Sequence, residues 1–321
     1  MKLPRTPIII GVIVTGVVIL GFILLSRNTT PSSTVSTTQQ STGVIATDIR
    51  YPALFETNLY YYDNSTAELT TFDIVTETVT RRLPISTLPG TVFTWSATGS
   101  AVLLIDEQQT RRINLTDGSA AALPFGVHFP IWKATGDRIL YQFFRENLTQ
   151  NTIAIADSDG TNFTAVLDSP SQFDQLWWGN KEQYAIVYDG GSNPPQYQRL
   201  LISSKQLVPL GPGSGGGRFS PSGSLFLANG IDDNTVFVAN IETGTIQPIS
   251  TPTLVTKSVW DSNESFLAYT TTNTLIRVSA ISGAEEDLAS SITLADDEYI
   301  LGLAEQSLVV SNGTAVRVLR Q

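Results

Sequence analysis

Arg218-Phe219-Ser220-Pro221-Ser222-Gly223-Ser224-Leu225-Phe226-Leu227 is the stretch that decides the fold. An aromatic residue ends a short first strand. Small turn-forming residues follow, and then an apolar run. That is the pattern of two strands joined by a tight turn. The pattern recurs upstream as Trp95-Ser96-Ala97-Thr98-Gly99 before Ala101–Ile105, as Trp132-Lys133-Ala134-Thr135-Gly136 before Ile139, and as Trp178-Gly179-Asn180 before Tyr184. Downstream it returns as Trp260-Asp261-Ser262-Asn263 before Phe266. The aromatic stands at 95, 132, 178, 219 and 260, so the spacings are 37, 46, 41 and 41 residues. A period near 40 marks a repeat architecture.

Each repeat has room for two more strands. Thr235–Ala239, the turn Glu242-Thr243-Gly244 and Thr245–Ile249 supply them in one copy, and Thr116-Asp117-Gly118 and Asp157-Ser158-Asp159-Gly160 mark the same hairpin in others. No 3.6-residue periodicity is sustained beyond the N-terminal run. Four strands per repeat, arranged in a ring, predict an all-β protein, a β-propeller. Weaker copies around Phe55 and Leu303 raise the expected blade count to seven, with six blades and an irregular first segment as the alternative. The last repeat supplies only three strands. Val44–Ile49 is strand-like and is expected to be its fourth, closing the ring and covering a raw edge.

The pattern aromatic-Ser-x-x-Gly-x-x-Leu/Ile, followed by an Asp-x-x-Gly-like hairpin, resembles the TolB-type, WD-repeat-like propeller repeat. Phe219–Gly223 and Trp95–Gly99 are its nearest copies, although Ser222 and Thr98 stand where that family more often has Asp. The resemblance spans about residues 45–321 and implies the fold. It implies no activity, because this fold carries many functions.

Ahead of the repeats, Ile8–Leu25 is apolar for 18 residues apart from Thr15. As a helix it would span about 27 Å, close to the hydrocarbon core of a bilayer. Lys2 and Arg5 precede it, which predicts a cytoplasmic N-terminus (1–7), a transmembrane helix (8–25) and the remainder outside the cytoplasm. A cleaved signal peptide is the competing reading, but the apolar run is long for one and Leu24-Leu25-Ser26-Arg27 is a poor cleavage site. Ten of the 15 residues from Thr29 to Gly43 are Ser or Thr. Residues 26–43 therefore read as a flexible linker, and 44–321 as the propeller domain.

The composition excludes whole classes of function. The chain has no cysteine and one histidine, so disulfides, thiol catalysis and multi-histidine metal sites are out, and no metal or cofactor is expected. Its net charge is -10, and no basic face points to nucleic acid. Gly211-Pro212-Gly213-Ser214-Gly215-Gly216 fits G-x-G-x-x-G, yet a strand rather than a helix follows, so it reads as a flexible inter-blade loop. His128 would be the required base of any Ser-His-Asp triad. With no G-x-S-x-G elbow in the chain, it reads as a loop or packing residue.

No catalytic residue is singled out. Trp177 neighbours the repeated aromatic Trp178, so it should face the opposite side of its strand, either packed or offered as a stacking platform. Asp106, Glu146, Asp189, Asp232 and Asp233 are expected on one rim of the ring and complete the candidate binding residues. The expected function is that of a membrane-anchored, extracytoplasmic module that binds a protein or a cell-envelope component. The alternative is a glycan-acting hydrolase or carbohydrate-binding propeller using carboxylates at one mouth.

Overall fold

The computed structural model describes residues 41–107, 109–144, 151–169, 172–262, 264–288, 292–305 and 307–320. The expected cytoplasmic tail, transmembrane helix and most of the linker lie outside these residues. Among the described residues no helix is long and apolar enough to cross a membrane.

Seven four-stranded antiparallel sheets form the blades of a propeller. Blade 1 comprises Ile49–Phe55, Asn58–Asp63, Glu68–Asp73 and Thr78–Pro84. Blade 2 runs through Val92–Trp95, Ala101–Ile105, Thr110–Asn114 and Ala120–Ala122, and blade 3 through Val127–Trp132, Arg138–Phe144, Asn151–Asp157 and Thr164–Ser169. Gln175–Trp178, Tyr184–Asp189, Gln196–Leu201 and Gln206–Pro212 build blade 4. Gly217–Phe219, Leu225–Asn229, Val236–Asn240 and Ile246–Ile249 build blade 5. Blade 6 is Ser258–Trp260, Ser265–Tyr269, Leu275–Ser279 and Glu285–Asp287. Blade 7 takes Tyr299–Ala304, Ser307–Ser311 and Ala315–Arg320 from the end of the chain and Ser41–Thr47 from its beginning.

That last sheet is the closure. Thr47 pairs with Ala315 and Ser41 with Leu319, with two register shifts between them. The closing strand begins at Ser41, inside the stretch read as linker, and Ile49 already belongs to the innermost strand of blade 1. Ile45 and Ala46 of this strand pack against the cluster between blades 7 and 1, while Val44 is exposed.

Local chemistry sets the repeat. Gly99 and Gly223, each four residues after the repeated aromatic, adopt φ of +62° and +73° and donate their N–H groups to Ser96 O and Ser220 O at 2.8 Å. A side chain would be strained there. At Gly99 a Cβ would also fall 1.8 Å from the Tyr60 hydroxyl of the preceding blade. Two innermost strands carry an aromatic-Pro pair at a bulge: Tyr51-Pro52 and Phe129-Pro130, with φ of 51° and 50° at the aromatic.

The core is divided into seven apolar clusters, one at each blade interface. Trp95, Trp132, Trp178 and Trp260 are each buried against the preceding blade. Phe219 holds the same place less completely, packed against the cluster between blades 4 and 5. Blades are therefore glued face to face, and the ring leaves its innermost strands with one free edge each, facing the central channel.

Candidate functional site

Antiparallel blades place the loops between second and third strands on the same rim as the blade-to-blade loops. Asp106 and Asp189 stand on that rim at the ends of second strands, in blades 2 and 4. Both carboxylates close their own loops. Asp106 Oδ1 accepts from the Gln109 N–H at 2.8 Å, and Arg111 lies 3.5 Å from the other oxygen. Asp189 Oδ1 accepts from Gly191 and Ser192 N–H, both at 3.1 Å. Asp63 in blade 1 does the same for Ser65 and Thr66 at 2.9 and 3.2 Å. Burial pulls the Asp63 carboxyl upward, but these donors outweigh it and hold it below its ordinary value. Asp232 and Asp233 are exposed in the corresponding loop of blade 5, and the Asp232 carbonyl accepts from the Thr235 hydroxyl at 2.7 Å. Glu146 lies outside the described residues. The described rim acids are thus distributed over blades 1, 2, 4 and 5, and those of blades 1, 2 and 4 are engaged by their own loops.

Trp177 is half-buried on the innermost strand of blade 4. Its ring meets Phe226 edge-on at 5.3 Å and Tyr197 at 6.0 Å, on the blade 5 side, while Trp178 packs toward blade 3. The two neighbours therefore face opposite ways, as the strand period requires.

The same rim carries apolar exposure. Leu88, Val92 and Phe125 are 44%, 41% and 70% exposed. They fall on consecutive segments: the loop into blade 2, the first residue of its innermost strand, and the loop into blade 3. Ile231, 48% exposed, lies on this rim in blade 5, and on the opposite rim the exposed apolar residues Val75, Phe163 and Ile281 are dispersed over blades 1, 3 and 6. That rim is also rich in ion pairs linking blades, such as Lys133 to Glu182 at 2.6 Å and Lys181 to Glu242.

His128 sits in the innermost strand of blade 3 with its ring centroid 4.8 Å from that of Phe144, edge to face, and partial burial lowers its pKa. Among the described residues no three His, Asp or Glu side chains gather where a metal ion could be held. The glycine-rich segment is pinned: Gly216 N–H donates to Gln175 Oε1 at 3.1 Å, and Gly215 O accepts from Asn229 Nδ2 at 2.7 Å.

Arg218 is the functional candidate that the repeat alone did not bring out. Its guanidinium donates to Ser258 O of blade 6 at 2.9 Å and to Ile300 O of blade 7 at 3.1 Å. A bond that skips a blade passes through the channel. The sequence signal was available in the residue before each repeated aromatic: Thr94, Ile131, Trp177, Arg218 and Val259. Only one of these is charged.

No protein-family model and no curated protein matches the sequence. Solved structures do share its fold. An oligogalacturonate lyase in complex with manganese superposes on 85% of this chain and 89% of its own, with a TM-score of 0.58 and 10% identity. U3-55K superposes on 87% of this chain and 98% of its own, with a TM-score of 0.59 and 9% identity. At such identities the likeness is one of fold, a propeller, and carries no activity across.

Proposed function

We propose that this chain is a membrane-anchored, extracytoplasmic propeller that binds a protein or cell-envelope component through one rim. The observation that carries this reading is the clustering of Leu88, Val92 and Phe125 on consecutive rim segments of blades 2 and 3. Exposed large apolar side chains grouped on a polar surface mark docking surfaces. Asp106 and Glu107, on the neighbouring loop, supply a polar border. The apolar run Ile8–Leu25 and the Ser/Thr-rich segment after it support an anchor and a spacer in this reading.

The test is affinity capture from detergent-solubilised membranes with the full chain as bait. A Leu88→Ser/Phe125→Ser variant is expected to lose the captured component while melting within about 1–2 °C of the parent, since both side chains are exposed. Equal capture by the variant rejects this rim as the binding surface. Loss of capture on changing Phe163 instead would move it to the opposite rim.

A further inference from the structure

The charge of the innermost strands is opposite to that of the chain. The protein has 29 acidic residues against 19 basic ones. Yet the seven innermost strands contain no Asp or Glu, and their charged or chargeable cationic groups are Arg50, His128 and Arg218. All three sit near the rim-side ends of their strands. Acids do lie on the loops above, but Glu298 is held by Arg317, and Lys257 stands beside Asp296 and Asp297 with its ammonium on the carbonyls of Ala295 and Asp296 at 2.9 and 3.3 Å.

Arg218 is the member whose position is fixed. Its guanidinium spans from blade 5 across to blade 7 and is anchored only by backbone carbonyls. Among the described residues no carboxylate pairs with it. It keeps intermediate exposure although protein surrounds it. That enclosure depresses its pKa to about 10, so it remains a cation at neutral pH. An arginine has five N–H donors in a planar fork, and the two carbonyl bonds leave donors over. A desolvated cation without a counter-charge is costly, and a bound anion relieves that cost. A guanidinium with spare donors is suited to planar or tetrahedral oxyanions.

We propose that the channel is an oxyanion site in which the Arg218 guanidinium, positioned by Ser258 and Ile300, takes a carboxylate or phosphate group entering from the rim. This site is distinct from the Leu88–Phe125 surface and does not depend on it.

The experiment uses the full chain and follows its melting temperature in potassium phosphate, potassium acetate and potassium chloride at matched ionic strength. At a hundred times the dissociation constant an oxyanion should raise the melting temperature by about 5 °C over chloride. Arg218→Met should abolish that rise, and Arg82→Met, at an exposed pair with Glu68, should keep it. A rise with phosphate alone identifies a phosphate site; a rise with both identifies a general oxyanion site. No rise with either, or an equal rise in Arg218→Met, overturns the proposal. Should Arg218→Met not fold, selenate soaked into crystals of the unaltered chain decides the matter. An anomalous peak within hydrogen-bonding distance of the Arg218 guanidinium supports the site, and its absence there rejects it.

Discussion

The Trp260 indole N–H donates to the Arg218 carbonyl at 3.1 Å, and the Arg218 guanidinium donates back to the Ser258 carbonyl, two residues before Trp260, at 2.9 Å. Blades 5 and 6 thus exchange hydrogen bonds across their inner edges. An innermost strand has no neighbour on its channel side, so its outward carbonyls need partners from elsewhere. The repeated tryptophan supplies one. Trp95 Nε1 reaches Tyr51 O at 2.7 Å and Trp132 Nε1 reaches Thr94 O at 2.7 Å, each on the preceding blade.

Trp178 breaks this rule, and a comparison of two conservative changes follows. Its Nε1 is buried and has no acceptor among the described residues. Trp260→Phe removes a donor and orphans the Arg218 carbonyl, whereas Trp178→Phe removes an unpaired donor. Both lose similar ring volume. Trp260→Phe should therefore be the more destabilising by about 1 kcal/mol or more, measured as the difference in urea unfolding free energy. Equal costs would mean that the indole–carbonyl bonds contribute nothing net.

Closure of the ring depends on the Ser41–Thr47 strand. Without it, Ala315–Arg320 becomes an unpaired edge, and Val316, Val318 and Leu319, all buried, lose cover. A chain beginning at Ile49 is expected to aggregate or to melt well below one beginning at Gln39, as read by differential scanning calorimetry and light scattering. Equal melting of the two would show that the other blades hold the ring without the closing strand.

Acid should unfold the protein partly through Glu298. Burial pulls this carboxyl up, but the Arg317 guanidinium and the Ala295 N–H at 2.8 Å prevail, and its pKa lies below the ordinary 4.5. The folded state therefore binds its proton later than the unfolded chain does. The stability so conferred is complete above about pH 5 and is lost as pH falls through the depressed folded value. Glu298→Gln should cost about 1–3 kcal/mol at pH 7 and flatten the acid limb of a stability-versus-pH curve. Asp63, Asp137 and Glu182 shift the same way, so some slope should remain. An unchanged acid limb in the variant would dismiss the Glu298–Arg317 pair as a contributor.

The fold was legible because its signals are local and repeated. Trp95, Trp132, Trp178 and Trp260 mark one interface each, the turn glycines mark the first hairpin, and the strand character of Val44–Ile49 pointed to the closure, although Ile49 itself opens blade 1. The site was much less so. Asp106 and Asp189 look like available carboxylates in a sequence, but loop geometry two or three residues on engages them. Leu88, Val92 and Phe125 are separated by up to a whole blade of sequence and share a rim only through the ring. Arg218 hides beside a glycine run, and its partners lie 40 and 82 residues away. A spacing of that kind is set by blade number, which single-repeat patterns do not encode.

Trp177 gives the last prediction. It holds the repeat position that Arg218 holds one blade later, yet it fills its place by packing rather than by reaching into the channel. Its contacts with Phe226 and Tyr197 are those of a core residue, and it is only half-buried. Trp177→Ala should therefore destabilise the protein by about 2–3 kcal/mol, somewhat less than the ~3–5 kcal/mol for a fully buried aromatic such as Trp260. Trp177→Phe should recover most of the loss, because the edge-on contact needs a ring and no polar atom. If instead Trp177→Ala melts like the parent and loses capture of the membrane component, the residue is a binding platform, and the docking surface extends from the rim into the channel between blades 4 and 5.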